Sequence, residues 1–322
     1  MKTVAIVQAR MGSIRFPAKV MRLICGTPMI GLLLNRLANS KLIDQIVLAT
    51  SEDPRNDPLV KYVCKLGYSV YRGSEDDVLD RYYQAAKEAE ADFVVRITGD
   101  CPLIDPVVVD EVISGFLKDK VDYASNIEPP TYPDGLDTEV FTFQALDTAW
   151  NQAKAPQERE HVTLFIRGSN NFSQVNFANA TDCSDERWTV DEPEDFELIH
   201  KVFEHFSPRR NFGWLEVLSL RKKHPEWFMP NSHLVRNQGL RFGTGQKLWK
   251  RAKKVIPGGS MLLSKRPEMF LPEQWPAYFS KAKGCRVWDL DGKEYIDMSI
   301  MGIGTNTLGY GHPEVDDAVR NV

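Results

Sequence analysis

The chain has 322 residues, 43% of them hydrophobic and 26% charged, with a formal net charge of −4. That length exceeds one small module and that mixture can bury a substantial core, which excludes wholesale disorder. No run approaches the ~20 consecutive apolar residues of a membrane helix, MKTVAIVQAR lacks a secretory leader pattern, and five scattered cysteines with no CxxC spacing fit reduced thiols, so a cytoplasmic location is expected.

Charge is distributed unevenly. Lys2, Arg10, Arg15, Lys19, Arg22, Arg36 and Lys41 all precede Asp44, the first acidic residue. A basic opening on an acidic body suggests a local polyanion site, whereas a nucleic-acid binder is more often basic over a whole face. In chain order, Val4–Val7, Ile46–Thr50, Ser69–Arg72 and Phe93–Thr98 read as strands. Pro28–Leu37, with Thr27 as N-cap, and Asp77–Ala91, with Val78, Tyr82, Ala85 and Ala89 near a 3.6-residue period, read as the helices between them. This alternation predicts an α/β fold with a largely parallel sheet. Tyr123–Asn126 and Glu139–Thr142 add strands, and Pro193–Phe206 adds a helix with acids in its first turn.

From Ser207 to Gly245 the rhythm is lost, and a linker at 232–246 is expected to divide a domain at 1–231 from a segment at 247–322. In that segment KLWKRAKKVIPGG predicts a short basic helix ended by Pro257, Gly258 and Gly259. VWDLDGKEYIDM predicts a hairpin in which Asp291-Gly292 supplies positive φ angles.

The first strand opens into Gln8–Lys19, a loop at the carboxyl edge of the sheet, where open α/β folds bind ligands. Gly12 permits close backbone approach, the N–H groups of Ala9, Met11 and Ser13 lie beside it, and Arg10, Arg15 and Lys19 supply charge for phosphate oxygens. The loop is neither a P-loop nor a dinucleotide fingerprint, and by spacing alone it reads first as a solvated basic loop. Thr98-Gly99-Asp100 closes the fourth strand, and Asp191 ends another strand before a helix. Two carboxylates from separate strand ends suit Mg²⁺, although each alone also suits a helix cap. After the turn at Asp134, Asp137 and Glu139 fall on one face of a strand; the pair suits sugar hydroxyls or an ammonium group, or else forms a solvated hairpin rim. Arg159 and His161, at the start of a helical run, suit an acceptor phosphate or carboxylate. Arg72, Asp77 and Arg81 read equally as a helix-surface salt-bridge network at i, i+4 spacing.

QARMGSIRFPAKV with GTPMI, then ATSEDPRNDPL, RGSEDDVLDRYYQAAK, RITGDCPLIDP, YPDGLDTEVF, EREHVT and RWTVDEPEDFELI, resemble in order the cytidylyltransferases that activate sugar acids, most closely their spore-coat polysaccharide branch. The likeness spans roughly residues 3–225. It implies a Rossmann-like nucleotidyltransferase domain with a mostly parallel mixed sheet. The implied reaction is CTP-dependent transfer of CMP to a sugar-like or polyol-like acceptor, with pyrophosphate release, for cell-surface polysaccharide synthesis. On that resemblance Arg10, Arg15 and Lys19 are catalytic, with Arg15 and Lys19 on the β- and γ-phosphates. Ala9–Ser13, Thr98 and Gly99 line the nucleotide, Asp100 and Asp191 hold Mg²⁺, and Asp134, Asp137, Glu139, Arg159 and His161 serve the acceptor. Expected partners are CTP, the acceptor and a second copy of the chain, without nucleic acid or membrane. The family usually has Thr where Ile14 stands and Gly where Ala18 stands. A GTP- or UTP-using enzyme and a non-catalytic scaffold for a partner aminotransferase are the competing readings.

A second resemblance covers 245–322. IPGGSMLLSKRPEMF, KGCRVWDLDGKEYIDM and GIGTNTLGYGHPEVDDAV resemble the start of a class III pyridoxal-phosphate aminotransferase, near glutamate-1-semialdehyde aminomutase. In that family the Schiff-base lysine lies far downstream of this stretch, so pyridoxal phosphate is expected only with a full-length aminotransferase domain. The segment is expected to be a short incomplete α+β piece, mobile and weakly packed.

Overall fold

TVAIVQ, residues Thr3–Gln8, forms β1 with its first five residues buried. Its side chains alternate between two cores: Ala5 and Val7 enter one, Val4 and Ile6 the other. A strand covered on both faces needs a continuous apolar run, which is how a central parallel strand reads. The computed structural model describes residues 1–13, 15–231, 234, 244–260, 263, 266–270, 275–298, 304 and 306–321, which divide between two units, Met1–Arg236 and Asn237–Val322.

In the first unit the strands after β1 are β2 (Leu23–Ile24), β3 (Thr27–Pro28), β4 (Gln45–Ser51), β5 (Ser69–Gly73), β6 (Phe93–Thr98), β7 (Tyr123–Ser125), β8 (Glu139–Thr142) and β9 (Gln174–Asn176). The helices are α1 (Met29–Leu37), α2 (Asp57–Lys65), α3 (Val78–Glu88), α4 (Pro106–Asp119), α5 (Phe143–Gln152), α6 (Pro156–Glu160), α7 (Leu164–Gly168), α8 (Pro193–Phe206), α9 (Trp214–Lys223) and α10 (Pro225–Phe228). Seven strands form one sheet in the order β5-β4-β1-β6-β8-β7-β9. β1, β4, β5 and β6 run parallel, β8 is antiparallel to both its neighbours, and β9 lies parallel to β7. The expected α/β architecture with a mostly parallel sheet is thus observed. Leu32 and Leu33 of α1, Val108 and Val112 of α4 and Leu198 of α8 pack on one face. Tyr82 of α3, Leu146 of α5 and Ile166 of α7 pack on the other.

The Thr27 cap does not form. Cys25 and Gly26 take positive φ angles of 46° and 80°, the two-residue ribbon geometry of a tight hairpin. Thr27 therefore pairs with Ile24 in β3, and α1 starts at Met29 with no side-chain cap. Asp77 does cap α3, accepting the Asp80 N–H at 2.9 Å. Of the expected linker, residues 232, 233 and 235–243 lie outside the described residues, as does Ile14.

The second unit has a helix at Thr244–Val255 and an antiparallel sheet of Phe279–Lys283, Arg286–Asp289 and Glu294–Ile296. The expected hairpin is the pair formed by its last two strands. Only Gly292, at φ 81°, takes a positive angle there, and not Asp291, because one left-handed residue suffices in this longer loop. Trp249, Ala252 and Val287 are buried, whereas Ile296, Leu308 and Val319 stand exposed. Among the described residues no helix is long and apolar enough to cross a membrane.

Candidate active site

Parallel β1 and β6 end side by side, Gln8 in register with Thr98, so the loops that follow meet at one edge of the sheet. The contact is close. Gly99 N–H donates to the Gln8 carbonyl at 2.8 Å, and a Cβ on Gly99 would stand 2.6 Å from Ala9 Cβ and 2.8 Å from Gln8 O. Glycine is required there because any side chain would push the two loops apart.

The loop from Ala9 to Lys19 closes on itself. Ala18 N–H donates to the Met11 carbonyl at 3.1 Å, Met11 N–H donates to Asn56 Oδ1 at 2.8 Å, and Phe16 N–H donates to Ser13 Oγ at 3.4 Å. These N–H groups are engaged within the protein, Met11 by Asn56 and the other two within the loop, which narrows the expected backbone cradle around Gly12. Ala18 closes the loop in the left-handed region, at φ 55° and ψ 24°. This is the position where the resembling family carries Gly, and the conformation supplies the reason. The turn aims Lys19 inward.

Lys19 is the centre of the site. Its ammonium donates to Asp100 Oδ2 at 3.0 Å, Asp191 Oδ1 at 2.9 Å and the Val190 carbonyl at 2.7 Å. Burial disfavours its charge, but Asp100 and Asp191 outweigh that cost and hold it above the ordinary lysine value. An ammonium has three N–H donors and all three are occupied. Lys19 is thus the shared counter-charge of the two carboxylates expected to hold the metal.

Asp191 collects more charge than the sequence suggests. Arg15 approaches its Oδ1 at 2.8 Å and Arg187 its Oδ2 at 3.3 Å. Burial alone would raise its pKa, yet Lys19, Arg15 and Arg187 bring it down to about 2. Val190 N–H and Thr189 Oγ1 both donate to the Asp100 carbonyl, at 2.8 and 3.3 Å, which locks the two acid-bearing segments together. Asp100 and Asp191 keep side-chain exposures of 26% and 20%, enough for a ligand to reach them. Thr98 Oγ1 lies 3.2 Å from Cys101 Sγ, and burial pushes that thiol well above its ordinary range.

Arg10 and Arg15 remain accessible. Arg10 pairs with Glu75 at 3.0 Å, and Glu75 accepts from Ser51 Oγ at 2.6 Å. Arg15 lies 3.7 Å from Glu192 as well as on Asp191. Glu75 and Arg187 were not anticipated; Arg187 opens the RWTVDEPED block, and only the spacing of its acids hinted at a basic partner.

The acceptor candidates separate. Asp134 joins the cluster, accepting from Arg187 Nη1 at 3.2 Å. Asp137 stands half-buried between buried Leu136 and Thr138. Glu139 does not form a rim with it. Its carboxylate is buried beneath α7, paired with Arg96 across the sheet, and it accepts from Tyr123 Oη at 2.7 Å and Thr163 Oγ1 at 2.5 Å. Asp137 precedes β8, which begins at Glu139, so the two acids are not neighbours along one strand. Burial opposes ionisation of Glu139, yet Arg96, Thr163 and Tyr123 lower its pKa. Arg159 grips Asp77 at 2.6 and 2.9 Å and donates to the Trp150 carbonyl at 2.7 Å, so it ties α6 to α3. His161 ends α6 with its ring 3.9 Å from Glu160. Among the described residues no ion pair links Glu139 or Arg159 to the Lys19 cluster. The i, i+4 network gives way to longer-range contacts: Arg72 pairs with Asp57 and Arg81 donates to the Ser74 carbonyl.

Two carboxylates that already converge on one cation offer hard oxygen donors to a single positive centre, a set that fits Mg²⁺ completed by phosphate oxygens and water. Among the described residues no group of three or more His, Cys, Asp or Glu side chains forms a self-sufficient metal cage.

The cytidylyltransferase family model matches residues 4–213. The chain is 36% identical over 75% of its length to MJ1063 of Methanocaldococcus jannaschii, covering 98% of that protein. It is 32% identical over 69% of its length to the spore coat polysaccharide biosynthesis protein SpsF of Bacillus subtilis, covering 94% of it. A cytidylyltransferase structure from Leptospira borgpetersenii superposes with a TM-score of 0.69 at 32% identity, over 73% of this chain and 99% of that one. Residues 272–322 separately match part of the class III aminotransferase family. With the sheet, the basic loop and the paired aspartates in place, the chain belongs to the cytidylyltransferase family, nucleotidyltransferases of the sugar-acid and polysaccharide-biosynthesis type.

Proposed function

We propose that this chain transfers CMP from CTP to a sugar-like or polyol-like acceptor, releasing pyrophosphate, in cell-surface polysaccharide synthesis. One observation carries the reading: Lys19 draws Asp100 and Asp191 to one point at the sheet edge, beside the loop that carries Arg10 and Arg15. The family model supports cytidine as the base, and the name of SpsF supports polysaccharide synthesis as the destination.

An acceptor oxygen attacks the α-phosphorus in line, the bond to the β-phosphate oxygen breaks, and pyrophosphate leaves with the electron pair. Arg10 and Arg15 bind triphosphate oxygens, exchanging part of their pairing with Glu75 and Glu192. Guanidinium groups suit phosphate because their donors form a planar fork. Lys19 holds Asp100 and Asp191 close together, so the site is assembled before nucleotide arrives. Asp100 and Asp191 would hold Mg²⁺, which supplies charge neutralisation for the developing negative oxygens when bound. Asp134 and Asp137 face the acceptor, and Asp134 is aligned by Arg187. Residues 1–231 form the catalytic domain in this reading.

Residues 247–322 are assigned to the start of an aminotransferase-like domain. Its matched lysines do not fit a pyridoxal site. Lys281, on the first strand of its sheet, and Lys293, in the turn before the last strand, are exposed and lie over the rings of Trp288 and Tyr295. The test is pyrophosphate release from each of the four nucleoside triphosphates, offered with sugar acids, sugar phosphates and amino-polyol phosphates. Release with CTP and at least one such acceptor is expected; turnover with GTP or UTP alone, or with none, overturns the reading.

A further inference from the structure

We propose that Arg187 and Asp195 are a positioning pair that fixes the Asp191 carboxylate for the metal–nucleotide complex, an inference that rests on the nucleotidyltransferase reading above. Asp195 lies fully buried in the first turn of α8. Its carboxylate accepts five donors: the N–H groups of Asp191 at 2.9 Å and Glu192 at 3.0 Å, Arg187 Nε and Nη2 at 3.0 Å each, and Asn231 Nδ2 at 3.0 Å. The main chain that carries Asp191 is therefore held by the capping turn of α8, whose buried Asp195 is braced in turn by Arg187 and Asn231.

Arg187 then orients the side chain. Its Nη2 donates to Asp191 Oδ2 at 3.3 Å while Lys19 takes Oδ1 at 2.9 Å, so the two oxygens of one carboxylate are held by different cations. The same guanidinium reaches Asp134 Oδ2 at 3.2 Å. One planar fork with five N–H donors can serve three carboxylates from a fixed position, whereas a lysine ammonium presents three donors from a single atom. The cluster is thus specific for arginine rather than for positive charge.

Charge and geometry make different predictions, which gives the test its discrimination. If Arg187 mattered only as a cation beside Asp191, replacement by lysine would leave cation binding unchanged. If it positions Asp191, replacement by lysine, which keeps the charge and loses the fork, should weaken cation binding. Partners of this kind typically alter metal affinity or activity about 10–100-fold.

The experiment titrates preformed Mn²⁺–CTP into the full chain, reading binding of the complex by isothermal titration calorimetry, and records the thermal midpoint without metal or nucleotide. R187K should weaken Mn²⁺–CTP binding about tenfold. R36K is the comparator: Arg36 is also buried but donates to the carbonyls of Ile104, Arg210 and Phe212 at 3.0, 2.8 and 2.9 Å, a structural brace. It should lower the midpoint at least as much as R187K and leave Mn²⁺–CTP affinity unchanged. Should R187K fail to fold, Asn231→Ala removes one donor from Asp195 and should weaken Mn²⁺–CTP binding in the same direction, by less. Unchanged affinity in R187K, or in N231A where R187K does not fold, overturns the inference, as does an equal loss in R36K. Absence of Mn²⁺–CTP binding by the wild-type chain overturns the nucleotide reading itself, a distinguishable result.

Discussion

Two charge clusters in the first unit use the same chemistry to different ends. Lys19, Asp100, Asp191 and Arg187 gather at the sheet edge, and their carboxylates keep a fifth to a quarter of their surface. Arg96 and Glu139 pair across β6 and β8 with Tyr123 and Thr163, and the Glu139 side chain is only 3% exposed. Both satisfy the rule that a buried charge must be paired and hydrogen-bonded. The difference is access. A ligand can replace a partner in the first cluster without unfolding anything, whereas the second is closed by helices on its face of the sheet. Pairing alone therefore does not mark a site; pairing at an open strand end does.

Exchanging one carboxylate for an amide in each cluster is the strongest way to break that contrast. Glu139→Gln leaves Arg96 buried without its counter-charge, and breaking such a pair costs about 3–5 kcal/mol. Chemical denaturation should show that loss while the folded fraction keeps near-normal pyrophosphate release. Asp100→Asn should do the reverse: about a 10²–10³-fold fall in turnover with a small change in unfolding midpoint. If both variants lose activity and stability together, the two clusters are one system and the distinction fails.

Acid provides a weaker probe of the same contrast. The Glu139 pKa is lowered by its partners, so its contribution to stability is complete above the ordinary glutamate value and is lost as pH falls through the lower folded value. Asp191, at about 2, behaves in the same sense. Wild-type stability should therefore decline on going from pH 5 toward about pH 3. E139Q should decline less over that interval, because it has no carboxylate to protonate at that position. An equal slope in the two proteins would show that the Glu139 pairing is not coupled to folding.

What could be read from the sequence follows the range over which each signal acts. The parallel strands were legible because burial on both faces demands uninterrupted apolar runs, as in Val4–Val7. The loop was legible because it lies in an opening stretch with seven basic residues and no acid before Asp44. Thr27 misled because a tight hairpin claimed its backbone first, and Glu139 misled because a period of two identifies a face but not what covers it. Lys19 was legible as a site residue but its carboxylate acceptors were not, since they lie 81 and 172 residues away. Arg187 was missed for the same reason, since its role depends on Asp134, 53 residues earlier, as much as on neighbouring Asp191 and Asp195.

The smallest expected effect concerns backbone strain, which again separates the clusters. Ala18 precedes Lys19 in the left-handed region at φ 55°, whereas neither Arg96 nor Glu139 has a positive φ. A left-handed non-glycine residue costs about 1–2 kcal/mol, so Ala18→Gly relieves strain in the folded state. Glycine also widens the unfolded ensemble, which gives back about 0.4–1 kcal/mol. The balance favours the folded variant by about 0.5 kcal/mol, readable as a small rise in the urea midpoint. Activity should fall slightly at the same time, because the stiff turn that aims Lys19 between Asp100 and Asp191 becomes softer. A stabilised variant with unchanged turnover would show that the strain is incidental. A destabilised one would show that the Met11–Ala18 closure depends on the alanine, and that the loop's rigidity begins at Ala18 rather than at the ammonium of Lys19.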